Sequence, residues 1–206
     1  MRSGGEQTSS QKGRNFIFVV SGPSGCGKTT LIRSLLKDKT LRDRVVRSIS
    51  FTTRPERPGE KEGVDYFFIT QAGFKSARRQ KKILEWTRFL NYYYGTPREY
   101  VEGQLERGRS LALCLDVKGA LRLKKIYGSR AVTIFILPPS IEALKERIRG
   151  RGCRTDGGVV VSRMKLAAQE LLRAREYDHR IINDDFSLAL KKLKGIIGRR
   201  LHLKKA

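Results

Sequence analysis

Gly22-Pro23-Ser24-Gly25-Cys26-Gly27-Lys28-Thr29 fits the pattern G-x-x-x-x-G-K-[ST], in which a glycine-rich turn closes its backbone N–H groups around nucleotide phosphates. The flanks suit that mechanism. Phe16 to Val20 is apolar, aromatic and partly β-branched, and reads as a buried strand. Thr30 to Leu36 carries Leu31, Ile32, Leu35 and Leu36 at helical spacing. In such a strand–loop–helix the glycines let the backbone approach without Cβ clashes. The helix start contributes unsatisfied N–H groups and the positive end of its dipole. Lys28 supplies a mobile charge for the β- and γ-phosphates, and the Thr29 hydroxyl is the expected Mg2+ ligand.

The 206 residues, 39% hydrophobic and 31% charged, suffice for one α/β domain with a sizeable core and inserted lobes. No apolar run approaches the ~18 residues of a membrane span, and the start of the chain lacks the apolar stretch of a signal peptide. Residues 1–13, rich in Ser, Gly and Gln, read as a disordered tail, and residues 199–206 as a basic one. Cys26, Cys114 and Cys153 are odd in number, lack metal-ligand spacing and suit a reducing, cytoplasmic compartment. Cys26 reads as a small filler of the loop, with a redox switch as the alternative. The formal net charge is +24, far more than two nucleotides require. It implies loose, salt-sensitive binding of polyanions.

Along the chain, Val45–Ser50 reads as a strand, Phe51–Asp65 as an ordered functional loop, and Tyr66–Ile69 as a strand. Ala72–Gln80 reads as a helix and Ile83–Leu90 as a strand, together forming a small inserted lobe. Arg98–Arg107 is helical, Ser110–Leu115 a strand and Lys118–Tyr127 a helix. Ala131–Leu137 is a buried strand, after which Ser140 caps a helix over Ile141–Arg149. Gly150–Val161 reads as a mobile flap, Ser162–Tyr177 as a long helix, Ile181–Ile182 as a brief strand and Leu188–Leu201 as an amphipathic helix. Strands alternating with helices imply a parallel sheet covered on both faces. Asp116, closing an apolar strand after a phosphate loop, is placed to act near Mg2+; the plainer alternative is a helix cap.

A phosphate loop does not separate a kinase from a GTPase or a motor, but the middle of the chain does. Ser50-Phe51-Thr52-Thr53-Arg54-Pro55-Glu56-Arg57-Pro58-Gly59-Glu60 leads to Gly63-Val64-Asp65-Tyr66, then Glu85-Trp86 and Tyr94-Gly95-Thr96. Leu115 to Gly119, Pro138-Pro139-Ser140, Arg147 to Gly152 and Ile182-Asn183-Asp184 follow in order. This ordered set, over roughly residues 15–198, resembles the guanylate kinase family. The resemblance implies the P-loop NTPase type of three-layer α/β fold, with a parallel central sheet, an inserted GMP-binding lobe and a mobile lid. It divides a domain over 14–198 into a core (14–48, 98–149 and 163–198), a lobe (49–97) and a lid (150–162).

It implies phosphoryl transfer from ATP to GMP, giving ADP and GDP, with Mg2+ accompanying ATP and dGMP accepted as well. ATP would be held by Gly22, Pro23, Ser24, Gly25, Cys26, Gly27, Lys28, Thr29 and Thr30, with Asn183 beside the adenine. GMP would be held by Ser50, Arg54, Arg57, Tyr66, Glu85, Tyr94, Thr96 and Asp116. Lys28, Arg54, Asp116, Arg147, Arg151 and Arg163 would act on the transferring group. These roles are chemically coherent. Guanine offers N1–H and N2–H2 side by side, and one carboxylate such as Glu85 accepts both, whereas adenine leaves it unsatisfied. Two guanidinium forks and two phenols suit a dianionic phosphate.

Some positions depart from the family pattern. The proline follows Arg54 directly, Cys114 stands where an acid is common, and Lys118 where Gln is common. The flap is Gly-rich and slightly long. Three other readings compete: a catalytically dead interaction module, a kinase for another acceptor, and a nucleic-acid-binding protein. Retained Lys28 and Thr29 oppose the first, Ser50, Glu85 and Thr96 the second, and only the charge favours the third. His179 and His202 have no partners for a triad or metal site, and Trp86, Tyr92 and Tyr93 read as packing residues.

Overall fold

The computed structural model describes residues 15–89, 91–150 and 157–203. Strand β1 (Ile17–Ser21) is buried along its whole length and lies at the centre of a five-stranded parallel sheet. Its neighbours are β7 (Ser110–Cys114) and β8 (Ala131–Leu137), with β2 (Val45–Arg47) beyond β7 and β9 (His179–Ile182) beyond β8. Strand alternation gives β1 two apolar faces. Phe16, Phe18 and Val20 pack with α1 (Lys28–Leu35) and α7 (Phe186–Arg200), while Ile17 and Val19 pack with α3 (Arg98–Glu106) and α4 (Val117–Tyr127). This is the expected three-layer α/β architecture. Each large apolar side chain removed from water there stabilises the fold by about 1.5–3 kcal/mol.

The β1 neighbours leave in opposite directions across the sheet, so the chain order reverses at β1. In open α/β sheets the ligand crevice forms at the carboxyl ends of the strands at such a point. Phe16–Val20 as a strand is thus shifted by one residue, and the first helix starts at Lys28 rather than Thr30. The segments Ala131–Leu137 and Ile141–Arg149 (α5) are as expected, and the Ser140 hydroxyl accepts the Ala143 N–H at 3.0 Å.

A second sheet, of mixed direction, has the order β4–β3–β6–β5. It comprises β3 (Ser50–Thr52), β4 (Tyr66–Phe68), β5 (Ile83–Phe89) and β6 (Tyr92–Pro97), with α2 (Gln71–Arg79) packed on it through Phe74. Here the structure corrects two expectations. Val45–Ser50 is not one strand: Ser48 N–H still bonds Ala112 in the first sheet, while Ser50 pairs with Tyr66 in the second. The mixed apolar and polar stretch from Val45 to Ser50 carries no glycine or proline at the change of sheet, so periodicity does not register it. Strand β6 was not anticipated; its run of tyrosines pairs antiparallel with β5 across the turn at Asn91, whose φ is 66°. Helix α6 (Gly157–Leu172) begins five residues before the expected Ser162, inside the expected flap, and stops before a short 3-10 turn at Ala174–Glu176. Residues 151–156 of the expected flap, and the expected tail over 1–13, lie outside the described residues.

Candidate active site

The glycine loop joins β1 to α1 at the carboxyl end of the central strand. Gly27 is the N-cap of α1 with φ 93°, and no side chain caps the helix. The helix therefore presents its first N–H groups to the loop, the arrangement that receives an anion. Glycine is required at two points by contact as well as by φ. A Cβ on Gly22 would collide with the Ile136 carbonyl oxygen, and one on Gly27 with the Asn183 Nδ2. The Lys28 ammonium folds back over the loop, donating to the carbonyls of Gly22 (2.6 Å) and Pro23 (2.9 Å). Cys26 is wholly buried in the apolar cluster under the loop, which favours the reading of a filler over that of a peroxide-accessible thiol.

Asn183 and Arg147 meet at the same loop. The Asn183 Nδ2 donates to the Cys26 carbonyl at 2.8 Å, its backbone N–H bonds Leu137, and its own carbonyl accepts two N–H groups of the Arg147 guanidinium at 3.2 Å. At 6% exposure, Asn183 is a brace between β9 and the loop. Its side chain holds the backbone of the loop at Cys26. Arg163 is half-buried on α6. Arg151 lies outside the described residues.

On the second sheet, Arg54 is 7% exposed and held by Glu60, whose two oxygens accept from one guanidinium nitrogen at 2.7 and 2.8 Å. Glu60 also accepts the Arg57 N–H at 3.0 Å, so one carboxylate fixes both arginine positions. Its own pKa is lowered, chiefly by the bond from Arg54. The Arg54 guanidinium lies 5.5 Å from the centre of the Tyr66 ring, and Tyr66 and Tyr94 meet edge to face at 6.0 Å. Arg54, Arg57, Tyr66 and Tyr94 thus form one cationic and phenolic corner. Nearby, Glu85 is 7% exposed and accepts the Thr96 hydroxyl at 2.5 Å. Burial, opposed by that bond and reinforced by the charge of Asp116, raises its pKa to about 7.

Asp116 connects the two halves. Strand β7 ends at Cys114, and the Asp116 Oδ1 accepts the Gly119 N–H at 2.8 Å as the cap of α4. The plainer reading is therefore met, yet the carboxylate also faces Glu85 and Glu170 closely enough to raise both pKa values. Three contributors escaped sequence reasoning. Glu60 lay in a charged loop with no periodic signal. Gly119 brings its backbone so near Glu85 that a Cβ would stand 2.5 Å from Glu85 Oε2. Glu170, on α6 two turns after Arg163, is half-buried and faces Lys28; burial raises its pKa to about 7. The i, i+7 spacing from Arg163 was the one signal that could have found it.

Among the described residues no three His, Cys, Asp or Glu side chains gather to hold a metal by themselves. Beside Lys28 lie the Thr29 hydroxyl and the Glu170 carboxylate, and Asp116 lies close to Glu170 in turn. Such a sparse hard-oxygen set fits Mg2+, which keeps its waters and takes most protein-independent ligands from substrate phosphates. The Cys114 thiol lies against Thr29 and Lys28 with its pKa raised mainly by surrounding protein, though part of its surface opens to solvent.

Comparison with known proteins agrees with this geometry. The family model for guanylate kinase matches residues 14–200. The guanylate kinase of Rickettsia conorii is 43% identical over 189 residues, 91% of this chain and 80% of that protein. That of Synechocystis is 42% identical over 182 residues, 88% of this chain and 93% of that protein. The crystal structure of guanylate kinase from Anaplasma phagocytophilum superimposes with a TM-score of 0.74 at 30% identity, covering 92% of this chain and 87% of that one.

Proposed function

The chain belongs to the guanylate kinase family, and from that premise we propose how its own residues divide the work of moving a phosphoryl group from ATP to GMP. The enzyme is an ATP-dependent GMP kinase. The observation that carries the division of labour is the placing of Glu85 and the arginine–tyrosine corner on one sheet, and the phosphate loop on the other. Glu85, with Thr96 and Ser50, reads guanine by accepting its N1–H and N2–H2. Arg54, Arg57, Tyr66 and Tyr94 hold the GMP phosphate, with Glu60 keeping the guanidinium of Arg54 oriented before substrate arrives.

The loop from Gly22 to Thr30 holds the ATP phosphates, and Lys28 exchanges its two carbonyl partners for phosphate oxygens. The Thr29 hydroxyl, together with the ATP phosphates, would hold Mg2+, which would supply charge neutralisation there, and Asp116 and Glu170 would accept hydrogen bonds from its waters. Arg147, Arg151 and Arg163 bring positive charge to the transferring group. Phosphoryl transfer depends on alignment and charge neutralisation, so this division suffices without a strong base. We further propose that dGMP is accepted, that the enzyme works in the cytoplasm, and that its surplus charge holds polyanions loosely. Among the described residues no helix is long and apolar enough to cross a membrane.

The test supplies ATP and Mg2+ with GMP, dGMP, AMP, CMP or UMP and follows ADP formation. GMP and dGMP should turn over, with AMP slower by at least ~10³, since a buried carboxylate left unsatisfied discriminates strongly. Comparable rates with AMP would overturn the assignment of Glu85. Lys28→Ala should lose roughly 10³ in kcat with unchanged thermal stability; retained turnover would remove Lys28 from the phosphate site.

A further inference from the structure

Between Gln71 and Phe89 the chain carries Lys75, Arg78, Arg79, Lys81, Lys82 and Arg88 against one carboxylate, Glu85. That carboxylate faces away from them. Gly95 meets Phe74 of α2, so Tyr94 and Thr96, and with them Glu85, lie on the other face of the sheet. All six cations are exposed. Lys75, Arg78 and Arg79 follow the i, i+3, i+4 spacing of one helical stripe, and Lys82, past the turn at Lys81 (φ 57°), is kept against the end of α2 by its N–H bond to the Ala77 carbonyl at 2.9 Å. Among the described residues no ion pair engages any of the six. Arg78 lies over the half-open Trp86 ring at 4.7 Å, and Arg88 donates to Asn91 Oδ1 at 3.0 Å. Glu99, on α3, lines a cleft beside Lys82.

Like charges this close repel one another. A helix C-terminus favours cations by only about 0.3–1 kcal/mol each, which does not account for a whole stripe. We propose that the outer face of α2 docks the phosphate backbone of a nucleic acid, deepening the polyanion reading given above, on which it rests. Cations spaced about 5–6 Å apart along a helix suit a chain of phosphodiesters, and guanidinium groups bond phosphate oxygens in pairs. An anionic membrane suits it less well. The apolar anchor of α2, Phe74, is 1% exposed and spent on the sheet, and the face of Trp86 is covered by Arg78. The stripe stands on the back of the sheet that carries the Glu85 site, so docking leaves that site open.

The test uses the full chain with labelled single-stranded RNA, duplex DNA and phosphatidylglycerol vesicles, titrated between about 50 and 200 mM salt. In the variant Lys75→Gln, Arg78→Gln, Arg79→Gln, Lys82→Gln, the slope of log K against log salt for single strands should flatten by about 3, that is ~0.7 per cation. GMP turnover should stay within about twofold, which also reports folding. A control removes equal charge from α7: Lys191→Gln, Lys192→Gln, Arg199→Gln, Arg200→Gln. Its slope should change by less than about 1. Equal losses in both variants would overturn the α2 site while leaving general polyanion binding intact. No salt-dependent binding by the wild type would overturn both, and binding to vesicles alone would replace nucleic acid by a membrane surface. A steeper slope with duplex, by the same four contacts, would support the backbone as ligand.

Discussion

Glu85 shows how one residue ties burial, pH and selectivity together. Its carboxyl is buried and its pKa stands at about 7 against an ordinary 4.5. The folded chain therefore holds this proton more tightly than the unfolded chain. The resulting stabilisation is complete below pH 4.5 and is lost as pH rises through 7. Relative to Glu85→Gln, the wild type should lose up to about 3 kcal/mol of unfolding free energy over that window, at 1.36 kcal/mol per unit. Binding runs the other way. In the proposed role guanine requires the ionised form as a double acceptor, so GMP affinity measured without ATP, relative to Glu85→Gln so that the titration of the GMP phosphate cancels, should fall roughly tenfold from pH 8 to pH 6. A relative affinity independent of pH would mean that Glu85 is not the guanine acceptor. Measuring GMP alone matters because Glu170, on the ATP side, titrates near the same pH.

Among the elements, α4 carries the next test. Gly119 in its first turn is where the helix backbone meets Glu85. Gly119→Ala adds a methyl that Glu85 must yield to, while gaining up to about 1 kcal/mol of helix propensity. The expected outcome is a tenfold rise in KM for GMP, equivalent to about 1.4 kcal/mol, with KM for ATP and the melting temperature little changed. A fall in melting temperature with both KM values intact would make Gly119 a packing residue only. Gly119 also marks the limit of what the sequence disclosed. The phosphate loop, β8 and α5 were legible because glycine spacing, an apolar run and a serine cap are local signals. Glu60 holding Arg54, Asn183 bracing Cys26 and Gly119 meeting Glu85 join residues distant in space or spacing. The sheet change at Ser48–Ser50 stayed hidden because only Ser48 and Ile49 separate β2 from β3, with no glycine or proline to mark a break.

At the scale of the whole molecule, the two sheets are joined unequally, and that inequality predicts where GMP acts. The chain crosses between them after Ser48 and again at Pro97. Strand β5 is anchored at its start: Ile83, Leu84 and Glu85 are buried, and Leu84 joins the core cluster with Val117 and Ala120. From Trp86 onward the strand is exposed or half-buried, and the loop from Pro55 to Gly59 is exposed throughout. In the proposed division of the site, guanine meets a wall already fixed to the core, whereas the GMP phosphate meets a corner next to an exposed loop. Few buried contacts mean low local stability and frequent opening. GMP should therefore act as a staple at its phosphate end. In hydrogen exchange, GMP at about 100 times its Kd stabilises by about 2.7 kcal/mol. Amides of residues 54–66 that open only when GMP leaves should slow by roughly a hundredfold. Amides of Ile83–Glu85, already held by the core, should change little. Guanosine without its phosphate should protect neither segment strongly. Protection concentrated in Ile83–Glu85 would reverse this order, making the guanine wall the mobile part and the arginine corner the fixed one.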